Sequence, residues 1–283
     1  MQRVLSTYLF ASRKLTAALV GQMARAEVSA IELFCSRGHF DYRSTDEARQ
    51  LASWLAGNNL TLHSIHSPTT RDFNLTRESG TPLSISDPER IRRQEAVDEI
   101  KRVLDLVEYV PFRYCVQHVG RPRDISDQRS WDTAFSSLEL LSLFAKQRGV
   151  TIALENIPGQ LATPANLKNF LEQTRLTNVK ICFDTGHAHL EGGLVEGLET
   201  IRDLVVTTHV HDNRGDRDDH LLPYEGTIDW NAALTALTPD VPFVLELKEP
   251  ATAIGSADLQ AFAPTLQGIR TVFEKFEEAL TQT

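Results

Sequence analysis

Ile181-Cys182-Phe183-Asp184-Thr185-Gly186-His187-Ala188-His189 is an apolar run that stops at a carboxylate, turns at a glycine and continues with two imidazoles. Asp184 and His187 thus place oxygen and nitrogen donors close together where a strand ends, a donor set that suits a divalent metal. The same order of apolar run, polar end, turn and amphipathic stretch recurs on both sides. Strand-like runs are read at residues 3–10, 30–35, 60–67, 113–119, 150–157, 179–183, 204–211 and 241–247. Helix-like runs follow them at 15–26, 45–56, 87–109, 130–148, 164–173, from the turn at Gly186 to about 203, 230–237 and 257–280. The third helix opens Asp87-Pro88-Glu89, with Asp as the expected N-cap and Pro at the first helical position.

Alternating strand and helix implies a parallel sheet covered by helices. Eight such units, with no composition break to mark a linker, predict one domain over residues 1–283, a single (β/α)8 TIM barrel of the α/β class. An open doubly wound sheet is the alternative. No Gly-x-Gly-x-x-Gly follows a strand and no Gly-x-x-x-x-Gly-Lys loop occurs, which counts against dinucleotide and P-loop nucleotide sites.

The bulk numbers narrow the class. The chain is 41% hydrophobic and 24% charged, the composition of a globular protein with a real core. Its net charge of -9 disfavours sequence-independent binding to nucleic acid, which needs Lys and Arg against phosphate. Cys35, Cys115 and Cys182 sit in apolar stretches without a Cys-x-x-Cys pair, so they are read as core residues of a reducing compartment. Residues 1–10 are too short for a signal region and no segment reaches the length of a membrane span. The expected location is the cytoplasm.

In a barrel the active site forms where the strands end. Strand three ends with His66, strand four with His118 and strand five with Glu155-Asn156. Strand six ends with Asp184 and His187, strand seven with His209-Val210-His211-Asp212, strand eight with Glu246-Leu247-Lys248. Ionisable groups are disfavoured in apolar runs unless paired or metal-bound, so this convergence marks a site. Residues two apart share a strand face. Glu155 therefore shares the barrel face of Thr151 and Ala153, and Glu246 that of Val244. His209 and His211 both look inward, whereas His63 falls opposite His66 and is expected on the helix-facing side. Glu155, Asp184, His209 and Glu246 form an oxygen-rich set suited to Mn, Mg, Co or Zn with positions open for substrate. The polar loop after strand seven carries Arg214, Arg217, Asp218 and His220 and is expected to serve the site. Trp230, Phe10 and Phe34 are read as apolar walls or plain core.

These residues make the chain resemble the xylose isomerase-like TIM-barrel superfamily, which holds sugar and sugar-phosphate isomerases and epimerases and the endonuclease IV type of AP endonuclease. The resemblance rests on Ala153-Leu154-Glu155-Asn156, Phe183-Asp184-Thr185-Gly186-His187, His209-Val210-His211-Asp212-Asn213, the 218–230 loop and Leu245-Glu246. It implies one divalent ion on Glu155, Asp184, His209 and Glu246, with His187 touching substrate. Glu155 and Glu246 would then exchange a proton with substrate carbon through an enediolate, aided by His66, His118, His211, Arg217 and Trp230. The expected substrate is a small sugar or sugar-like carbonyl compound, with or without phosphate. The endonuclease branch implies instead two or three zinc ions, with His66, His118, His187, Asp218 and His220 as added ligands. A metal-dependent sugar lyase or dehydratase is the third option. Related barrels often pair, so a homodimer is compatible with the resemblance.

Overall fold

In the computed structural model, which describes residues 1–71, 80–122, 124–237 and 240–281, eight parallel strands close into a barrel. They are β1 (Arg3–Ser6), β2 (Ala30–Phe34), β3 (Thr61–His66), β4 (Tyr114–His118), β5 (Thr151–Glu155), β6 (Val179–Asp184), β7 (Val205–Val210) and β8 (Phe243–Leu245). Each pairs with its sequence neighbour, and β8 returns to β1 through Val4 opposite Val244. The helices α1 (Ala17–Ala24), α2 (Thr45–Gly57), α3 (Arg90–Leu104), α4 (Gln128–Lys146), α5 (Pro164–Thr174), α6 (Thr185–Leu190), α7 (Leu194–Ile201), α8 (Trp230–Ala236) and α9 (Ala263–Thr281) surround it. Alternation decides what each strand buries. Phe243 turns outward onto Phe276 of α9 at 5.7 Å between ring centres, while Val244 turns inward against Val4 and Ala30. Val116, Ala153 and Cys182 fill the other side of the interior.

Several expectations are corrected. Residues 7–10 form a 3-10 turn, which lifts Tyr8 onto the rim. The helix expected from 87 starts at Arg90; Asp87 Oδ1 instead accepts the Glu89 amide at 2.8 Å, one turn early. The helix expected from Gly186 to about 203 breaks into α6 and α7 at Gly192, whose φ of 75° stops a right-handed helix. Part of the 68–86 loop, residues 72–79, lies outside the described residues.

His63 is the clearest reversal. Ile31 pairs with Leu62 but Glu32 with Ser64, so His63 is an extra residue in β3. Such a bulge breaks alternation. His63 Nε2 lies 3.1 Å from Thr207 Oγ1 on β7, a contact that can only cross the barrel interior. Burial lowers its pKa to about 4. The three cysteines are buried and free, and burial pushes their thiols up. No helix among the described residues is long and apolar enough to cross a membrane.

Candidate metal centre

Two side chains join the strand ends before any ligand is considered. Asn156 Nδ2 donates to the Asp184 carbonyl at 2.9 Å and its Oδ1 accepts the Asp184 amide at 2.8 Å. That exchange ties the ends of β5 and β6. Asp184 then caps α6, accepting the His187 amide at 2.7 Å. The cap directs the first turn of α6 over the barrel mouth. Gly186 is required there, since an added Cβ would stand 2.0 Å from the His211 ring.

Glu155 lies at the centre and is fully buried. Its Oε2 is 3.0 Å from His118 Nε2 and 3.3 Å from His66 Nε2. Its Oε1 is 3.3 Å from both His187 Nδ1 and His209 Nδ1. His209 Nδ1 is also 3.5 Å from Glu246 Oε2 and 3.8 Å from Asp184 Oδ2. The loop after β7 closes the other side. His187 Nε2 reaches Asp218 Oδ2 at 3.4 Å, and His220 Nε2 reaches the same oxygen at 3.0 Å. His211 stacks on His220 at 4.0 Å and points Nε2 at Asp184, 3.2 Å away.

Asp212, wholly buried, shapes that loop. It accepts the amides of Asn213, Tyr224 and Ile228 and the Trp230 indole N–H, the last at 2.8 Å. An antiparallel bridge between Asp212 and Leu221 clamps the loop base. Lys248 Nζ donates to the Asp218 carbonyl. Gly226 lies so close that a Cβ would meet Asp212 Oδ1 at 2.2 Å. His220 is held at φ 49°, a left-handed conformation uncommon outside glycine.

Donor chemistry tests whether a cation fits. His66 donates Nδ1–H to the Ser67 carbonyl at 2.8 Å, His187 to that of Asn156 at 2.9 Å and His220 to that of Glu246 at 2.9 Å. Each therefore turns Nε2 toward a carboxylate and leaves that nitrogen for a ligand, the arrangement in which metal-binding histidines are oriented by their other nitrogen. His209 works the other way round, with Nε2 held by Glu32 at 3.1 Å and Nδ1 facing the carboxylates. Glu155 Oε1 and His209 Nδ1 have no hydrogen bond although both are buried. Ligands about 2.0–2.1 Å from a tetrahedral ion stand roughly 3.4 Å apart, close to the distances from His209 Nδ1. One ligand atom from each of Glu155, Asp184, His209 and Glu246 lies within 4.8 Å of the others; so do those of His66, Glu155 and His209, and of His187, His211, Asp218 and His220. The residues fit a divalent metal.

The facing acids and imidazoles shift one another's protonation. Burial alone would raise Glu155, but His209 and His118 hold it well below the usual carboxylate range. Burial would lower His209 and His187, yet the surrounding anions push both well above 6.5, and His66 up to about 8. Asp184 and Asp218 are held down against their own burial by the facing imidazoles.

The structure brings Glu155, Asp184, His187, His209, His211, Glu246, His66, His118, Asp218 and His220 together. It does not bring in Arg217, whose side chain is 79% exposed beside Asp216 at 3.8 Å. The spacing after His209 puts Arg217 on the outer bend of the loop. Trp230 is buried behind Asp212 and packs on Phe276, so it supports the loop from outside the mouth. Phe10 packs on Phe262 in the core, whereas Phe34 stands 5.5 Å from the His66 ring. Sequence reasoning missed Glu32 and Tyr8, and read Asp212 only as a strand-end acid rather than as the residue that shapes the loop. Tyr8 lies 5.0 Å from the His220 ring. Glu32 was signalled by a lone acid within Ala30-Ile31-Glu32-Leu33-Phe34.

Residues 20–267 match the family model described as xylose isomerase-like TIM barrel. The chain belongs to that family. An uncharacterized protein y4fM of Sinorhizobium fredii is 32% identical over 159 residues, 52% of this chain and 50% of that protein. The chain spans about half the length of that curated relative. Among solved structures, a D-tagatose 3-epimerase-like protein aligns over 100% of this chain and 99% of its own, with a TM-score of 0.79 and 21% identity. The IOLI protein, solved with a zinc atom, aligns over 100% and 99% with a TM-score of 0.75 and 18% identity. At these identities the likeness is one of fold.

Proposed function

We propose that this family member is a divalent-metal-dependent isomerase or epimerase of a small sugar or sugar-like carbonyl compound. The observation that carries it is the buried set of Glu155, Asp184, His209 and Glu246, three carboxylates with one imidazole nitrogen aimed between them. When bound there, a divalent ion supplies positive charge against the anion that develops as a carbon-bound proton leaves. Mn, Mg, Co and Zn all accept such donors.

The chain's own groups do the rest. Glu246, buried at the end of β8, takes a proton from substrate carbon, and Glu155 returns one from the β5 side. His187, His66, His118 and His211 bind substrate oxygens that the acids leave unpaired. Tyr8 and Phe34, 4.9 Å apart, offer an apolar wall beside His66 and His220. Buried walls keep water from the transient anion. The net charge of -9 favours a small substrate over nucleic acid.

One observation favours a second reading. Four imidazoles crowd Glu155 and a separate set gathers on Asp218, more ligands than one ion needs. Two or three zinc ions there would suit a phosphodiesterase of the endonuclease IV type. The test is incubation of Mn2+-loaded protein with ketoses, D-tagatose first, in D2O. Deuterium entering a carbon position supports the proposal. Cleavage of an abasic oligonucleotide without any ketose exchange overturns it.

A further inference from the structure

Behind the rim, one level down the barrel, lies a carboxylate with no part in the chemistry above. Glu32 is at mid-strand in β2, fully buried, with its side chain inside the barrel. Its two oxygens stand 3.1 and 3.2 Å from His209 Nε2, and Oε2 accepts the Ser64 hydroxyl at 2.8 Å. Among the described residues no lysine or arginine forms an ion pair with it. A buried carboxylate without a cation is strongly disfavoured, so its presence asks for compensation.

The compensation is directional. An ionised carboxylate only accepts hydrogen bonds, so the nitrogen facing Glu32 must carry a proton. In neutral imidazole the other nitrogen then holds a lone pair. That nitrogen, Nδ1, is the one turned toward Glu155, Asp184 and Glu246, and it makes no hydrogen bond. Without Glu32, His209 could carry its proton on Nδ1 and donate to Glu155 or Glu246. The rim would then be satisfied internally and closed to a cation. The three other oriented histidines, His66, His187 and His220, are held by neutral backbone carbonyls. His209, in the set with three carboxylates, is held instead by a carboxylate that belongs to none of the donor sets.

We propose that Glu32 is a positioning residue: it holds His209 with the proton on Nε2 and thereby makes Nδ1 a ligand for a divalent cation. This rests on the metal reading of the site and deepens it. Glu32 touches neither substrate nor ion. Through the imidazole it adds negative charge to the donor nitrogen, which strengthens that donor.

The test measures Mn2+ affinity by chelator competition for wild type, Glu32→Gln and Ser64→Ala. In parallel, 15N-histidine spectra are recorded on the Zn2+-loaded proteins. We expect the Mn2+ Kd to rise by about 10–100-fold in Glu32→Gln, and by less in Ser64→Ala. Wild-type His209 should show a downfield Nε2–H resonance, slow to exchange, that moves upfield in both variants. Unchanged affinity in Glu32→Gln, or a wild-type His209 bound through Nε2, overturns the proposal. A wild type that binds no Mn2+ takes the metal reading down with it, whereas tight binding shared by wild type and Glu32→Gln removes only the role of Glu32. Should Glu32→Gln not fold, the wild-type nitrogen pattern and Ser64→Ala decide.

Discussion

Two donor sets share the mouth of this barrel and are built by different means. Glu155, Asp184, His209 and Glu246 stand on or beside the ends of β5 to β8. His187, Asp218 and His220 stand on the first turn of α6 and on the loop after β7. The strand set inherits its spacing from a closed hydrogen-bonded ladder. The loop set has no such frame and depends on Asp212, Gly186, Gly226 and Lys248 to hold its position. Both gather imidazoles against carboxylates, but the loop base at Asp212 supports only the second.

The largest effect is expected in the strand set. Glu246→Gln keeps shape and removes a proton acceptor, so turnover should fall roughly 10²–10⁴-fold with the thermal transition nearly unchanged. Steady-state rates beside a melting curve check it, and unaltered kcat would sever Glu246 from the chemistry. Gly186→Ala strikes where the two sets meet, because its Cβ would enter the His211 ring. Overpacking of this kind costs about 3 kcal/mol, measured by chemical denaturation. Asp212→Asn separates the sets most cleanly. It removes acceptors for Tyr224 and Trp230 and should cost about 2 kcal/mol. Metal titration should then still show the ion on Glu155, Asp184, His209 and Glu246; its loss would erase the distinction.

The smallest effect concerns histidines away from both sets. His39 is buried, with Nδ1 donating to the Arg13 carbonyl at 2.6 Å, and burial lowers its pKa to about 4. The unfolded chain, with histidine near 6.5, therefore binds more protons than the folded one. Stability from this group is full above pH 6.5, is lost as pH falls toward 4, and changes no further below that. Between pH 7 and 4.5 the loss is about 2 kcal/mol. His39→Asn should flatten the stability profile over that range, in contrast to the rim, where imidazoles are pushed up. Denaturation curves at the two pH values check it.

Much of this was legible in the residues. Alternation placed Glu155 above Ala153 and Glu246 above Val244 on the barrel side, because a period of two leaves no freedom once a strand is recognised. It failed at His63, since a bulge is a property of two paired strands and leaves no mark in either alone. Arg217 was misplaced for a related reason: a loop's outward bend follows from what it packs on, here Asp212 and Trp230. Glu32 was visible as an odd letter in an apolar run, but its partner lies 177 residues away.

The order of elements, the closed barrel and the chemistry of each strand end were determined by the sequence alone, because periodicity and turn residues act over a few neighbours. Which nitrogen of each histidine faces the carboxylates, which loop residues reach the rim and what stands behind His209 were decided only by tertiary structure. Those features depend on hydrogen bonds between strands distant in sequence, and their partners become neighbours only when the sheet closes.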